Sequence, residues 1–225
     1  MIIEHIISYL APHACISCRT EGPLLCQQCI GALPNAQHDC YRCGATTATS
    51  GICADCRPKT PLASVTARTT YQGLAKDLLW KLKFDRAVAA AVPIALACAA
   101  IAPTASSDLI ITHVPTATNR VRQRGYDQSW HVARNVAKYL GKPAYPLLGR
   151  VGTARQVGAD AATRKTQLGN AFRPRNSRHT ANAHILLIDD VITTGASLEA
   201  AANILHSAGA SRIDALVFAQ ATSLE

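Results

Sequence analysis

The sequence predicts an α/β domain, a mostly parallel sheet with flanking helices, preceded by a small cysteine-rich module that binds zinc. Three observations carry this. Residues 185–188 read as a buried strand, 197–206 as a helix and 212–218 as a returning strand. Such a βαβ unit implies parallel pairing with helices on the sheet faces. Strand-like and helix-like stretches also alternate between residues 64 and 148. Finally, eight of the nine cysteines fall within residues 15–56 as four Cys-x-x-Cys pairs. The predicted division is a zinc-binding module over 1–60 and an α/β domain over 61–225.

The cysteine pairs are Cys15/Cys18, Cys26/Cys29, Cys40/Cys43 and Cys53/Cys56. Two such pairs make one tetrahedral four-thiolate site, so eight ligands suit two zinc ions. Full cysteine ligation leaves no open position for substrate, so the zinc is read as structural. It supplies folding free energy to a segment too short and polar for its own core. Pairing can be sequential or interleaved; the sequential scheme is the one favoured. Redox-active or merely buried cysteine is the alternative, and one pair alone would not separate the two. Arg19, Arg42, Arg57 and Lys59 could serve docking, or simply face water.

Residues 58–63, with Pro58 and Pro61, read as a linker, and 64–70 as a short strand. Residues 73–84 form a helix with Leu74, Leu78 and Leu82 on one stripe. Its lysines, Lys83 among them, face water or a phosphate. Trp80 is read as packing on the helix face. Residues 86–102 are the next helix, interrupted or begun by Pro93. Residues 108–114 are a strand ending at Pro115, followed by a basic loop over 119–124. Residues 127–140 are a helix with Trp130, Ala133 and Leu140 inward; Gly141 and Pro143 end it. A short strand is expected within 144–148. Residues 149–182 lack a long apolar stripe, and such a length of loop needs a functional reason.

The chain of 225 residues is 48% hydrophobic, enough for a core, but only 5% aromatic, so extensive stacking on bases is not signalled. Its +9 formal charge is uneven. Residues 120–178 hold thirteen Arg or Lys against Asp127 and Asp160, an excess of eleven. That segment attracts phosphate-rich small molecules or polyanions. Residues 87–105 are uncharged but carry two prolines and much alanine, which fits a buried helix and not a membrane span. Residues 1–10 show no basic leader before an apolar run. A cytoplasmic protein without membrane insertion is the expectation.

The chemistry concentrates in Ile185-Leu186-Leu187-Ile188-Asp189-Asp190-Val191-Ile192-Thr193-Thr194-Gly195-Ala196-Ser197. Two acids stand at the carboxyl end of a strand, where open α/β sheets bind ligands. Asp189 and Asp190 can accept from a sugar diol or face magnesium. Thr193, Thr194 and Ser197 offer hydroxyls, Gly195 permits a tight turn, and the amides of 193–197 open a helix as an anion nest. The bland alternative is an acid pair in a loop beside an ordinary helix cap.

This stretch resembles the phosphoribosyl pyrophosphate-binding motif of type I phosphoribosyltransferases. The wider chain resembles the ComF/GntX group of type I phosphoribosyltransferase-like (amidophosphoribosyltransferase-like) proteins. The matching features are the cysteine module, Leu82-Lys83-Phe84, Arg124-Gly125-Tyr126-Asp127-Gln128, and the basic stretch from Arg150 to Ala171-Phe172. That group often has Asn at the position of Asp127. The resemblance implies the type I phosphoribosyltransferase fold with a zinc-ribbon-like module. It assigns Asp189 and Asp190 to ribose and magnesium. It gives Val191 and the 193–197 turn, Ala196 included, to the ligand, with the 5-phosphate on the turn. Pro115 and Thr116 would open the pyrophosphate loop, with Arg120, Arg122 and Arg124 in reach. Arg150, Arg155, Arg164 and Lys165 would belong to a flexible catalytic loop over 149–167.

Three functions follow from that likeness. One is transfer of a phosphoribosyl group from phosphoribosyl pyrophosphate to a nitrogenous acceptor. The second is a non-catalytic DNA-uptake or DNA-processing module, with single-stranded DNA and a competence-type protein as partners. The third is a regulatory sensor of phosphoribosyl pyrophosphate or nucleotide. A homodimer is compatible with each. A complete glutamine-dependent enzyme is not expected, because the early cysteines fit zinc better than a glutaminase nucleophile.

Overall fold

The βαβ unit is present, and its parallel pairing extends to four strands. A computed structural model describes residues 14–48, 51–103, 107–151 and 171–221. In chain order these form α1 (Gln27–Gly31), β1 (Ser64–Thr70), α2 (Gly73–Phe84), α3 (Ala91–Ala99), β2 (Leu109–His113), α4 (Thr118–Arg124), α5 (Gln128–Leu140), β3 (Leu148–Arg150), β4 (Phe172–Pro174), β5 (His184–Ile192), α6 (Ala196–Ser207) and β6 (Arg212–Gln220). The main sheet runs β1-β6-β5-β2 with every neighbour parallel. β3 and β4 form a separate antiparallel pair.

The central strands are apolar on both sides because both sides are covered. Leu186, Ile188, Leu216 and Phe218 pack with Leu78, Leu82, Ile94, Val132 and Val136 on one face. Ile185, Leu187, Ala215 and Val217 pack with Leu198, Ala201 and Leu205 on the other. The amino ends of three strands are tied by one polar cluster. Buried Asp214 accepts from Arg212 Nε (2.7 Å) and Ser64 Oγ (2.5 Å), and lies 2.6 Å from His184 Nε2.

Some boundaries differ from expectation. The helix expected over 86–102 is confined to α3, because a 3-10 turn at Val88–Ala90 precedes it. Pro93 falls in its first turn, where proline is tolerated. The basic loop expected at 119–124 is instead α4. Gly125, with φ of 88°, closes it by donating its N–H to Val121 O at 2.7 Å. Of residues 144–148, Ala144 bridges to Ile111 and Leu148 opens β3. Trp80 does not pack inward; it is 51% exposed and lies against Phe84.

The cysteine-rich segment straps across the β1 edge of the sheet. Ala36 N donates to Arg68 O. The buried Arg68 guanidinium donates back to Ile30 O (3.0 Å) and Asn35 Oδ1 (2.9 Å). On one side of that strap Cys15, Leu25, Cys29 and Ile30 join the first core; on the other Cys40, Tyr41, Ile52 and Cys56 join the second. Among the described residues no helix is long and apolar enough to cross a membrane.

Candidate functional site

The eight cysteines gather into two groups: Cys15, Cys18, Cys26 and Cys29, then Cys40, Cys43, Cys53 and Cys56. This is the sequential scheme. In each group the four Sγ atoms lie within 4.8 Å of one another. Cys18 and Cys26 sulfurs are 3.7 Å apart, and those of Cys43 and Cys53 are 3.6 Å apart. Four sulfurs tetrahedrally around zinc at 2.3 Å stand about 3.8 Å apart, so both groups fit that ion. Burial pushes the Cys15 and Cys40 thiols up, but backbone amides aimed at the sulfurs outweigh it and hold both at about 6. Cys56 goes the other way, to about 12, through burial and then the neighbouring thiols. Each group could hold a metal ion among its four sulfurs.

The acid pair stands near the carboxyl end of β5. Asp190 is buried, and both its oxygens are engaged: Lys83 Nζ lies 2.9 Å from Oδ1, and Gln128 Nε2 donates to Oδ2 at 3.2 Å. Asp189 is half-buried. Its Oδ1 accepts from Ser129 Oγ (3.2 Å) and the Asp190 amide (2.9 Å). Burial first, and the charge of Asp190 second, push the Asp189 carboxyl up to about 8. Two acids this close do not both ionise readily, so near neutral pH the pair keeps a proton. Beside them Gln128 Oε1 is buried without a hydrogen-bond partner among the described residues. An orphan carbonyl oxygen next to two carboxylates is a donor set suited to a hard cation such as magnesium.

A cavity of about 1060 Å³ opens over this pair at the carboxyl edge of the sheet. Asp189, Asp190, Val191, Thr193 and Ser197 line it from β5 and the turn into α6. Pro115, Thr116, Arg120 and Arg122 line it from the loop after β2 and from α4. Arg150 reaches it from the end of β3. Arg150 is fixed by stacking over Phe172, 5.0 Å to the ring centre, and by donating to Pro115 O at 3.2 Å. Thr116 is held by Asp127, which accepts from its amide (3.0 Å) and hydroxyl (2.9 Å) while capping α5 through Ser129 N and Trp130 N. The carboxylate at this position therefore ties the loop after β2 to the helix.

Arg124, Thr194, Gly195 and Ala196 are not on that wall. Arg124 lies over Phe84, 5.2 Å from the ring centre. Thr194 faces a second cavity of about 580 Å³, shared with Tyr41, Thr70 and Gln220. Gly195 is buried in a left-handed turn, φ 72°, against the edge of the Tyr41 ring. Arg155, Arg164, Lys165 and nearly all of the expected catalytic loop lie outside the described residues. Gln128, Ser129 and Tyr71 line the cavity but were not predicted as site residues, and Lys83, expected to face water or a phosphate, lines it too. Lys83 and Gln128 did stand within stretches that carried the family resemblance. Ser129 and Tyr71 carried no signal beyond lying close to those stretches.

A model of the phosphoribosyl transferase domain matches residues 71–224. Over 219 residues the chain is 31% identical to the DNA utilization protein YhgH of Salmonella typhimurium, covering 90% of this chain and 94% of that protein. It is 25% identical over 197 residues to the competence protein ComFC of Bacillus subtilis, covering 82% and 79%. Among solved structures, glutamine phosphoribosylpyrophosphate amidotransferase from B. subtilis aligns at 15% identity and TM-score 0.39, over 54% of this chain and 24% of that one. The allosteric regulatory enzyme of purine biosynthesis aligns at TM-score 0.33, over 48% and 21%. The chain thus spans under a quarter of either enzyme, and these two alignments bear on no functional point.

Proposed function

Since the chain belongs to the phosphoribosyl transferase domain family, in its ComF-type group and with the type I fold, we propose that its large cavity binds phosphoribosyl pyrophosphate with magnesium and passes the phosphoribosyl group to a nitrogenous acceptor. One observation carries this reading. The acid pair, the turn into α6, the loop after β2 and Arg150 all border one cavity at the carboxyl edge of a parallel sheet.

In this reading Asp189 and Asp190 meet the ribose hydroxyls, accepting from the diol. The turn at 193–197 takes the 5-phosphate. Asp189 and Asp190, with Gln128 Oε1 beside them, would hold magnesium, whose charge supplies electrostatic stabilisation to the leaving group. Transfer breaks the bond from C1 of the ribose to pyrophosphate oxygen and forms one from C1 to nitrogen. The electron pair of the broken bond leaves with pyrophosphate, and the acceptor nitrogen releases its proton to solvent. Arg120, Arg122 and Arg150 neutralise charge growing on pyrophosphate. The negative charge of Asp189 and Asp190 stands beside the sugar, where positive charge develops.

A titration with phosphoribosyl pyrophosphate, with and without magnesium, tests this in wild type and Asp190→Asn. Saturable, magnesium-dependent binding that disappears in the variant is expected. Equal binding by both, or none by the folded wild type, overturns the reading.

A second reading draws on the relatives' names, DNA utilization and competence proteins. Here the basic segment contacts DNA and no group transfer occurs. Affinity for single-stranded DNA should then fall steeply with salt. Salt-insensitive or absent binding counts against it.

A further inference from the structure

The second cysteine group does more than cap the fold: it supplies the back of the turn that leads into α6. Tyr41 lies inside the Cys40-Tyr41-Arg42-Cys43 knuckle, so ligation of a metal by the flanking sulfurs fixes where its ring sits. Its backbone N–H donates to Gly51 O at 3.1 Å. The Cδ2–Cε2 edge of the ring abuts Gly195, close enough that any Cβ there would overlap it. The hydroxyl donates to Thr60 Oγ1 (2.8 Å) or to Glu199 Oε1 (2.7 Å), both in reach. Arg42 pairs with the same Glu199 oxygen.

Two consequences follow for the turn. Gly195 holds a left-handed backbone, and a bare glycine there has many other conformations open to it. The Tyr41 ring closes off the space those conformations need. Glu199 stands in the first turn of α6, where its negative charge opposes an incoming anion. Arg42 neutralises it, and Tyr41 holds it on the side of the knuckle.

We propose that Tyr41 is a positioning residue for the 193–197 turn, so that metal occupancy of the second cysteine group sets how ordered that turn is. That the ordered turn then favours phosphate rests on the functional reading above. An anion site pre-formed by a packed ring binds without first having to order its backbone.

The test uses the full chain, with zinc content measured for every variant. Hydrogen exchange is followed in a peptide covering 189–199, against one from α5 as the control. Tyr41→Ala should speed exchange in the first peptide and leave α5 unchanged at full zinc content. Tyr41→Phe keeps the ring and loses only the hydroxyl, so it should restore protection. Chelating the zinc of wild type should expose the same peptide as Tyr41→Ala does. Should Tyr41→Ala not fold, Tyr41→Leu fills volume without a flat ring and takes its place. Protection at 189–199 that matches wild type in the folded Ala or Leu variant overturns the proposal.

Titration with phosphoribosyl pyrophosphate and magnesium is the second readout. Binding should weaken about tenfold or more in Tyr41→Ala and stay within about threefold in Tyr41→Phe. The two failures are distinct. If wild type binds no phosphoribosyl pyrophosphate yet exchange responds to Tyr41 as stated, the ligand reading falls and the positioning role stands. If binding is normal and exchange is indifferent to Tyr41, the positioning role falls alone.

Discussion

Lys83 Nζ reaches across from α2 to Asp190 Oδ1, 2.9 Å away, and the two side chains are 17% and 7% exposed. The ammonium sits where a cation is expected beside the acid pair. Removing it leaves a buried carboxylate whose remaining side-chain hydrogen-bond partner among the described residues is Gln128. Lys83→Met should therefore destabilise the protein by about 1–3 kcal/mol at neutral pH. Magnesium should recover more stability in the variant than in wild type, because it then meets an uncompensated acid. Thermal melts with and without millimolar magnesium check this; equal shifts in both proteins would remove Lys83 from the site.

Asp127 serves three partners at once, the α5 amides, Thr116 and His113, whose Nε2 lies 3.4 Å from Oδ2. Asp127→Ala should cost about 1–2 kcal/mol through the lost cap and should also weaken ligand binding as the loop after β2 comes free. Asp127→Asn keeps one accepting oxygen and should fall between. Urea denaturation and the titration above report the two effects separately. A variant that loses stability but binds normally would show that the loop does not depend on this tie.

Asp214 gives a pH dependence with a definite sign. Burial pushes its carboxyl up, but hydrogen bonds from Arg212, Ser64 and His184 outweigh it and leave it below the usual carboxylate range. A depressed native pKa contributes stability above the unfolded value of about 3.9. That contribution fades as pH falls through the native value. Asp214→Asn should cost about 2–4 kcal/mol near pH 7, and the gap to wild type should narrow as pH falls below the ordinary carboxylate range. A gap that stays constant with pH would contradict the assignment.

Two four-sulfur groups predict two zinc ions per chain. Metal analysis by mass spectrometry should return that ratio. Removing zinc should lower the melting temperature well beyond the effect of any single substitution above, because the ligands belong to both cores. A metal-free chain of equal stability would mean that the cysteines pack without metal.

Features that depend on neighbours in sequence were legible in it. The apolar run of β5, the leucine stripe of α2 and the Gly141 stop each need only local spacing. The cysteine pairs and the acid pair followed by a glycine turn are local too. α4 was missed because its residues, Asn119 to Arg124, carry charge and no apolar stripe; the Gly125 cap is its one mark. Lys83 could not be tied to Asp190 by spacing, since 107 residues separate them and only the sheet order brings them together. Gly195 announced a turn, but nothing in the sequence said that the edge of an aromatic ring from the cysteine segment would abut it.

The strap over β1 has a consequence of another kind. β1 is the outermost strand, and a bare outer strand offers open amides and carbonyls to any second chain. Here the Ala36 amide takes the Arg68 carbonyl, and the Arg68 side chain pins the crossing segment in place. Zinc held by the cysteines upstream would then also steady the segment that covers this edge. Protein purified in strong chelator should lose solubility before it loses helix, as the uncovered strand finds partners among its own kind.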